Sequence, residues 1–185
     1  MSQDSNAAAQ DALPAAARMM IPGPEYDLIR RMVGQWQVNM RIWPADGAEP
    51  MVAPPMVATR ELVRDAYLQE VMEAALGTDQ DPFTRIAYLS FNNARRRYEY
   101  LSMDTRAPGM MYETTYGDEL EEPGTIALYL DNFTFPGWGQ ELTGQLVKQR
   151  RLLSVQDDDT TLCRQYWTLP AAAPYLSVEY IYKRI

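Results

Sequence analysis

From Gly34 to Ile185, apolar and polar residues alternate with a period of two, and no other feature constrains the fold of this 185-residue chain so tightly. Trp36, Val38, Met40 and Ile42 alternate with Gln35, Gln37, Asn39 and Arg41, the pattern of a strand with one face in a core and the other in water. The same rhythm predicts strands over 56–64, 67–76, 83–91, 97–103, 110–117, 125–132, 144–155, 162–169 and 175–183. Pro44-Ala45-Asp46-Gly47, Asp65-Ala66, Asn92-Asn93-Ala94-Arg95, Asp157-Asp158-Asp159 and the segments 118–124, 135–139 and 170–174 supply the turns, rich in residues that bend the backbone. The expectation is an all-β protein, an up-and-down antiparallel barrel of about nine or ten strands. Closure is preferred over an open sheet because it removes edges on which other chains would pair. There is no strand–helix alternation to suggest a parallel sheet, and no repeat of solenoid or propeller period.

The rhythm is absent before Gly34. Residues 1–20, rich in Ala with Gln, Ser, Asn and Asp, read as a flexible tail. Pro22-Gly23-Pro24 punctuates the chain. Leu28, Ile29, Met32 and Val33 then have the spacing of one short amphipathic helix, with Pro24 near its first turn and Gly34 just past its end. Residues 21–185 form a single domain, long enough to bury a sizeable core.

Composition excludes more chemistry than it suggests. The chain has no histidine, which removes the Ser-His-Asp triad, the Cys-His pair, histidine-ligated haem and the usual zinc and iron sites. Cys163 is the sole cysteine, so no disulfide or cysteine metal cluster forms within the chain, and neither a metal nor a cofactor is expected. Seventeen basic residues against 25 acidic ones give a net charge of −8, which disfavours nucleic acid and anionic membrane surfaces as partners. No run reaches the roughly 18 apolar residues of a membrane span. Met1-Ser2-Gln3-Asp4 opens no signal peptide. A bacterial-type cytoplasm is the expected setting. Nucleotide-binding glycine loops, GxSxG and HExxH motifs are absent.

Gly34-Gln35-Trp36, opening the first strand directly after a short helix, resembles the start of a calycin (lipocalin-like) barrel, with Lys183-Arg184 placed to cover the tryptophan ring. Pro22-Gly23-Pro24-Glu25, Leu28 and Val33-Gly34-x-Trp36 are together similar to the opening of the bacterial domain-of-unknown-function 1579 family. So are Ala87-Tyr88, Asn92-Asn93, Arg96-Arg97-Tyr98 and Met103-Asp104-Thr105, and the closing Tyr180-Ile181-Tyr182-Lys183-Arg184. The segment 87–92 departs from the Gly-Tyr-Asp usual in that family. The resemblance implies a calycin-like barrel and no established activity.

Twelve tyrosines and eleven methionines are the next signal. Tyr98 with Tyr100, Tyr112 with Tyr116, and Tyr180 with Tyr182 each share a strand face, and Met40, Met56, Met72, Met103, Met110 and Met111 fall in predicted strands. Each residue alone serves cross-strand packing or core filling. As a set they suggest an aromatic, adaptable lumen for a small apolar ligand, lined by Trp36, Met40, Met72, Tyr88, Tyr98, Tyr100 and Tyr180.

Glu61, Glu70, Glu99, Glu113 and Glu179 sit mid-strand. Glu70 shares parity with Leu68, Met72 and Ala74 and so points inward, needing a partner such as Arg60, Arg85 or Tyr88. Glu179 and Glu99 point outward. Glu70, and Asp104 at a strand end, are the candidate catalytic acids. Structural pairing is the commoner fate of Glu70, and capping that of Asp104. The segment 133–139 (Phe-Thr-Phe-Pro-Gly-Trp-Gly) places large rings in a loop, as a barrel cap, a lid or an interface.

Three functional readings follow. The first is a binder of a small apolar or aromatic molecule in the lumen. The second is a small isomerase, cyclase or lyase using a lumenal carboxylate and tyrosine. The third is a homodimerising module with a filled barrel.

Overall fold

The computed structural model of the protein describes residues 14, 17, 19, 21–106, 113–117, 120–134 and 144–185, with the side chains of 113–116, 120–122 and 133 left aside. Nearly all of the expected tail, Met110, Met111, Tyr112 and the loop 135–139 lie outside them, as do the side chains of Glu113 and Tyr116.

A short helix, α1 (Glu25–Arg31), leads into the sheet. Pro24, at φ −62°, stands at its N-terminal end; Glu25 and Asp27 occupy the first turn and Arg30 and Arg31 the last, each sign opposing the nearby end of the helix dipole. Tyr26 and Ile29 are the buried side.

Among the described residues twelve strands follow: β1 (Gly34–Ile42), β2 (Met51–Val52), β3 (Met56–Val63), β4 (Tyr67–Ala74), β5 (Thr84–Asn92), β6 (Arg97–Asp104), β7 (Glu113–Gly117), β8 (Leu120–Glu122), β9 (Thr125–Thr134), β10 (Leu146–Val155), β11 (Thr160–Thr168) and β12 (Tyr175–Arg184). Ten form an antiparallel ring in the order β1-β3-β4-β5-β6-β7-β9-β10-β11-β12, closed where β12 returns to β1. The expected barrel is therefore present. Two short strands were not foreseen. β2, within a Pro-rich link, pairs only with the end of β1, and β8 forms inside the acidic segment expected as a plain turn, pairing with β9.

The ring is narrowest in contact between β7 and β9, where Tyr116 lies opposite Tyr129. There Gly117 is obligatory, because a Cβ would overlap the Ala127 carbonyl. Buried and less buried residues alternate along β1, β3, β4, β5, β6, β10 and β11, most regularly in β5 and β10. Among the described residues, no helix is long and apolar enough to cross a membrane.

Candidate functional site

One end of the barrel is closed by α1. Trp36 is fully buried there; its indole N–H donates to the Met32 carbonyl at 3.0 Å. The Arg184 guanidinium lies 4.3 Å from the ring centroid and donates to the carbonyls of Val33 (2.7 Å), Arg31 (3.1 Å) and Asp158 (2.7 Å). Gly34, at φ +140°, makes this possible, because a Cβ would occupy the position of Arg184 Nη1. Nearby, the Tyr26 hydroxyl donates to the Phe91 carbonyl at 3.0 Å and the Tyr98 hydroxyl to the Glu25 carbonyl at 3.1 Å. Tyr98 packs edge-on against Phe91 at 5.0 Å. Trp36 and Tyr98, both expected in a ligand lumen, thus belong to the wall that shuts it.

The barrel centre differs from the expected oily interior. Arg60, Glu70 and Arg85 project inward from three adjacent strands and are buried. Glu70 Oε2 accepts from Arg60 Nε at 2.7 Å, and Oε1 from Arg85 Nη1 at 3.3 Å. Arg85 also donates to the Tyr100 hydroxyl and sits 5.5 Å from the Tyr180 ring. The Arg60 guanidinium lies 3.8 Å from the centroid of Tyr182 and 5.6 Å from that of Trp36. Arg151, also buried, lies 4.4 Å from the centroid of Tyr100. Cation over aromatic face is a favourable contact, strengthened by exclusion of water.

These contacts fix the chemistry of Glu70. Burial alone pushes its carboxyl up, but the charges of Arg60 and Arg85, with hydrogen bonds from Arg60 and Tyr182, outweigh burial and hold it below the ordinary value. It is an ionised counter-charge, poorly suited to donating a proton at neutral pH. Asp104 behaves alike. Partial burial raises it, while Arg106, bonded through Nη2 at 2.6 Å, Nε at 3.0 Å and its backbone N–H at 2.9 Å, brings it below the usual range. Arg106 in turn covers the Phe83 ring at 3.7 Å. Neither candidate acid has the raised pKa that proton transfer from a carboxylic acid requires.

Met40, Met72, Tyr100 and Tyr180 do point inward and are buried. Tyr88 does not. Arg85, Ala87, Leu89 and Phe91 take the inner face of β5, so strand alternation turns Tyr88 outward. Its hydroxyl accepts from Gln69 Nε2 at 3.1 Å, and its ring meets Tyr67 edge-on at 5.6 Å. Glu99 faces outward as expected, whereas Glu179, of outward parity on β12, is buried against Arg41 and Arg164. Glu99 accepts from Asn92, Arg95 and Arg97, and Glu179 from Arg164 at 2.8 Å.

A small cavity and a larger groove are bordered by described residues. Inside, a space of about 20 Å3 is bordered by Arg60, Glu70, Arg85, Tyr100, Cys163 and Tyr182, among others. On the outer face of β4–β6 an open groove of about 450 Å3 is lined by Tyr67, Tyr88, Ser90, Glu99, Tyr100 and Leu101. Tyr67 and the inward-pointing Arg151 were not foreseen. Arg151 was legible through its parity with Val147 and Leu153. Tyr67, at a strand start beside a turn, carried no such signal.

A solved structure of a redesigned β-barrel resembles this fold, with TM-score 0.41 and 10% identity over 84% of this chain and 93% of the other. No curated protein matches the sequence. Residues 21–184 match the family described as protein of unknown function (DUF1579), and the chain belongs to that family.

Proposed function

We propose that the protein binds a small, largely apolar aromatic molecule, and that the ligand occupies the Tyr67–Tyr88 groove on the barrel wall. The observation that carries this reading is the groove itself. Its volume of about 450 Å3 falls in the range of small-molecule sites, roughly 300–1,000 Å3, whereas the space beside Glu70 suits about one water.

The chemistry of the lining narrows the ligand. Ser90 Oγ is engaged with Tyr26 and the Ala66 carbonyl, and the Glu99 carboxylate with Asn92, Arg95 and Arg97. What remains for a ligand is aromatic and aliphatic surface, plus the hydroxyl of Tyr67 and that of Tyr88. The Tyr88 hydroxyl accepts from Gln69 and keeps its own proton to donate. A planar apolar body with a hydrogen-bond acceptor matches this set.

The test is native mass spectrometry of the protein from its host, followed by thermal-shift screening against aromatic metabolites. A hit whose shift is lost in Tyr67→Ala and Tyr88→Ala, with both variants folded, supports the reading. A shift unchanged by both substitutions places the ligand elsewhere. A dimer in light scattering that Tyr67→Ala converts to monomer would assign the groove to self-association instead.

A further inference from the structure

We infer that the barrel centre holds a single-atom anion of chloride's size, coordinated by the Arg60 and Arg85 side chains. Three observations converge on this site. The first is charge: Arg60 and Arg85 share one carboxylate, Glu70, so this buried trio carries a net positive charge, which is costly unless countered. The second is an unused donor. Arg60 Nη1 is buried and has no hydrogen-bond acceptor in the protein, although its Nε–H is taken by Glu70. The third is space. Arg60, Glu70, Arg85, Tyr100, Cys163 and Tyr182 all border the same cavity of about 20 Å3, above the roughly 10–15 Å3 that one water requires and too small for a carboxylate or phosphate.

The polarity of the wall favours an anion over water. A buried water donates two hydrogens as well as accepting. Here the strong acceptor is Glu70, whose oxygens already receive Arg60 and Arg85. Donors exceed acceptors: Arg60 Nη1, the Tyr100 hydroxyl, which accepts from Arg85 and retains its proton, and the Cys163 thiol, kept protonated because burial pushes it up. This site lies inside the wall that carries the groove on its outer face, and does not depend on that groove binding anything.

Crystals of the whole protein soaked in bromide, measured at the bromine absorption edge, test it directly. The expected result is an anomalous peak within hydrogen-bonding reach of Arg60 and Arg85. In parallel, replacing gluconate by chloride at constant ionic strength should raise the melting temperature by roughly 3–6 °C at tenfold excess over the dissociation constant. Arg60→Met, which leaves Glu70 neutralised by Arg85, should abolish that difference. Bromide on the surface only, or a melting temperature that is the same in both salts for the wild-type protein, would overturn the inference and assign the cavity to water.

Discussion

The closed end and the barrel centre use the same ingredients, arginines over aromatic rings with tyrosine hydroxyls between them, yet they are satisfied in different ways. At the closed end the acceptors are backbone carbonyls. Trp36, Tyr26, Tyr98 and Arg184 all donate to them, so each bond is fixed by the path of the chain. In the centre, Arg60, Glu70, Arg85 and Tyr100 bond one another through side chains alone, and Arg60 Nη1 is left without a protein acceptor. Removing one member of the first set loses one or a few bonds. Removing Glu70, the shared counter-charge of the second, strands two arginines in a dry interior, where an uncompensated charge is expensive.

The largest test of that contrast is Glu70→Leu. It leaves Arg60 and Arg85 buried without their counter-charge and should cost about 3–5 kcal/mol in urea unfolding. The triple substitution Arg60→Met, Glu70→Leu, Arg85→Met removes the whole group and should restore most of that loss, since replacing a buried ion cluster by apolar side chains is often neutral or stabilising. Failure of the triple variant to recover would mean that the trio stabilises the barrel in its own right.

Arg184→Met probes the other region. Arg184 is partly exposed and loses hydrogen bonds to three carbonyls that are not left as stranded charges, so the expected loss is about 1–2 kcal/mol, read in the same unfolding experiment. A loss equal to that of Glu70→Leu would erase the distinction between the two ends.

The two regions were also unequally legible in the sequence. The closed end was legible through resemblance: a short helix before Gly34-Gln35-Trp36, with a basic residue near the chain end, resembles a calycin barrel, and the structure sets Arg184 over Trp36. Strand alternation placed Glu70 inside, because parity is a short-range property, and left Arg60, Arg85 and Tyr88 as alternative partners, of which the structure pairs it with the two arginines. What parity cannot supply is which rings and charges from distant strands share one level of the barrel. Register fixes that, setting Arg60 opposite Glu70 and Met72 opposite Arg85. Tyr88 was misplaced for a related reason. β5 carries an aromatic or aliphatic residue on both faces, so hydrophobicity alone does not say whether Ala87 or Tyr88 turns inward. The inner cavity and the outer groove are products of the tertiary arrangement and have no sequence signature.

Acid should separate the regions a third way. The Glu70 and Asp104 carboxyls are both held below their ordinary values of 4.5 and 3.8. On acidification the unfolded chain takes up their protons first, so the stability they supply is fully present above the ordinary carboxylate range and is lost as pH falls through it toward the folded values. The urea midpoint of the wild-type protein should hold steady from neutral pH to about pH 5 and then decline. The triple variant, lacking Glu70, should decline less steeply. Equal slopes would show that Glu70 is not ionised by its arginines in the folded barrel.

The smallest effect concerns the tyrosines at high pH. Tyr98, at the closed end, is pushed up to about 12, first by burial and then by the nearby Glu25 carboxylate. Tyr182, in the centre, is raised well above its ordinary value, by burial and by Glu70, against the opposing pull of Arg60 and Arg85. A raised tyrosine stabilises the fold below its unfolded value of 10.0, and that contribution is lost as pH rises through the folded value. Phenolate absorbance, read by difference from Tyr98→Phe as a first stage and from Tyr182→Phe as a second, should therefore show both rings ionising above the ordinary value. Glu25→Gln should bring the first stage down toward the ordinary value and leave the second unmoved, because Glu25 is bound up with the helix end and not with the arginine cluster. A shift of both stages together would mean that the closed end and the centre are one electrostatic unit, and the separation drawn between them would fail.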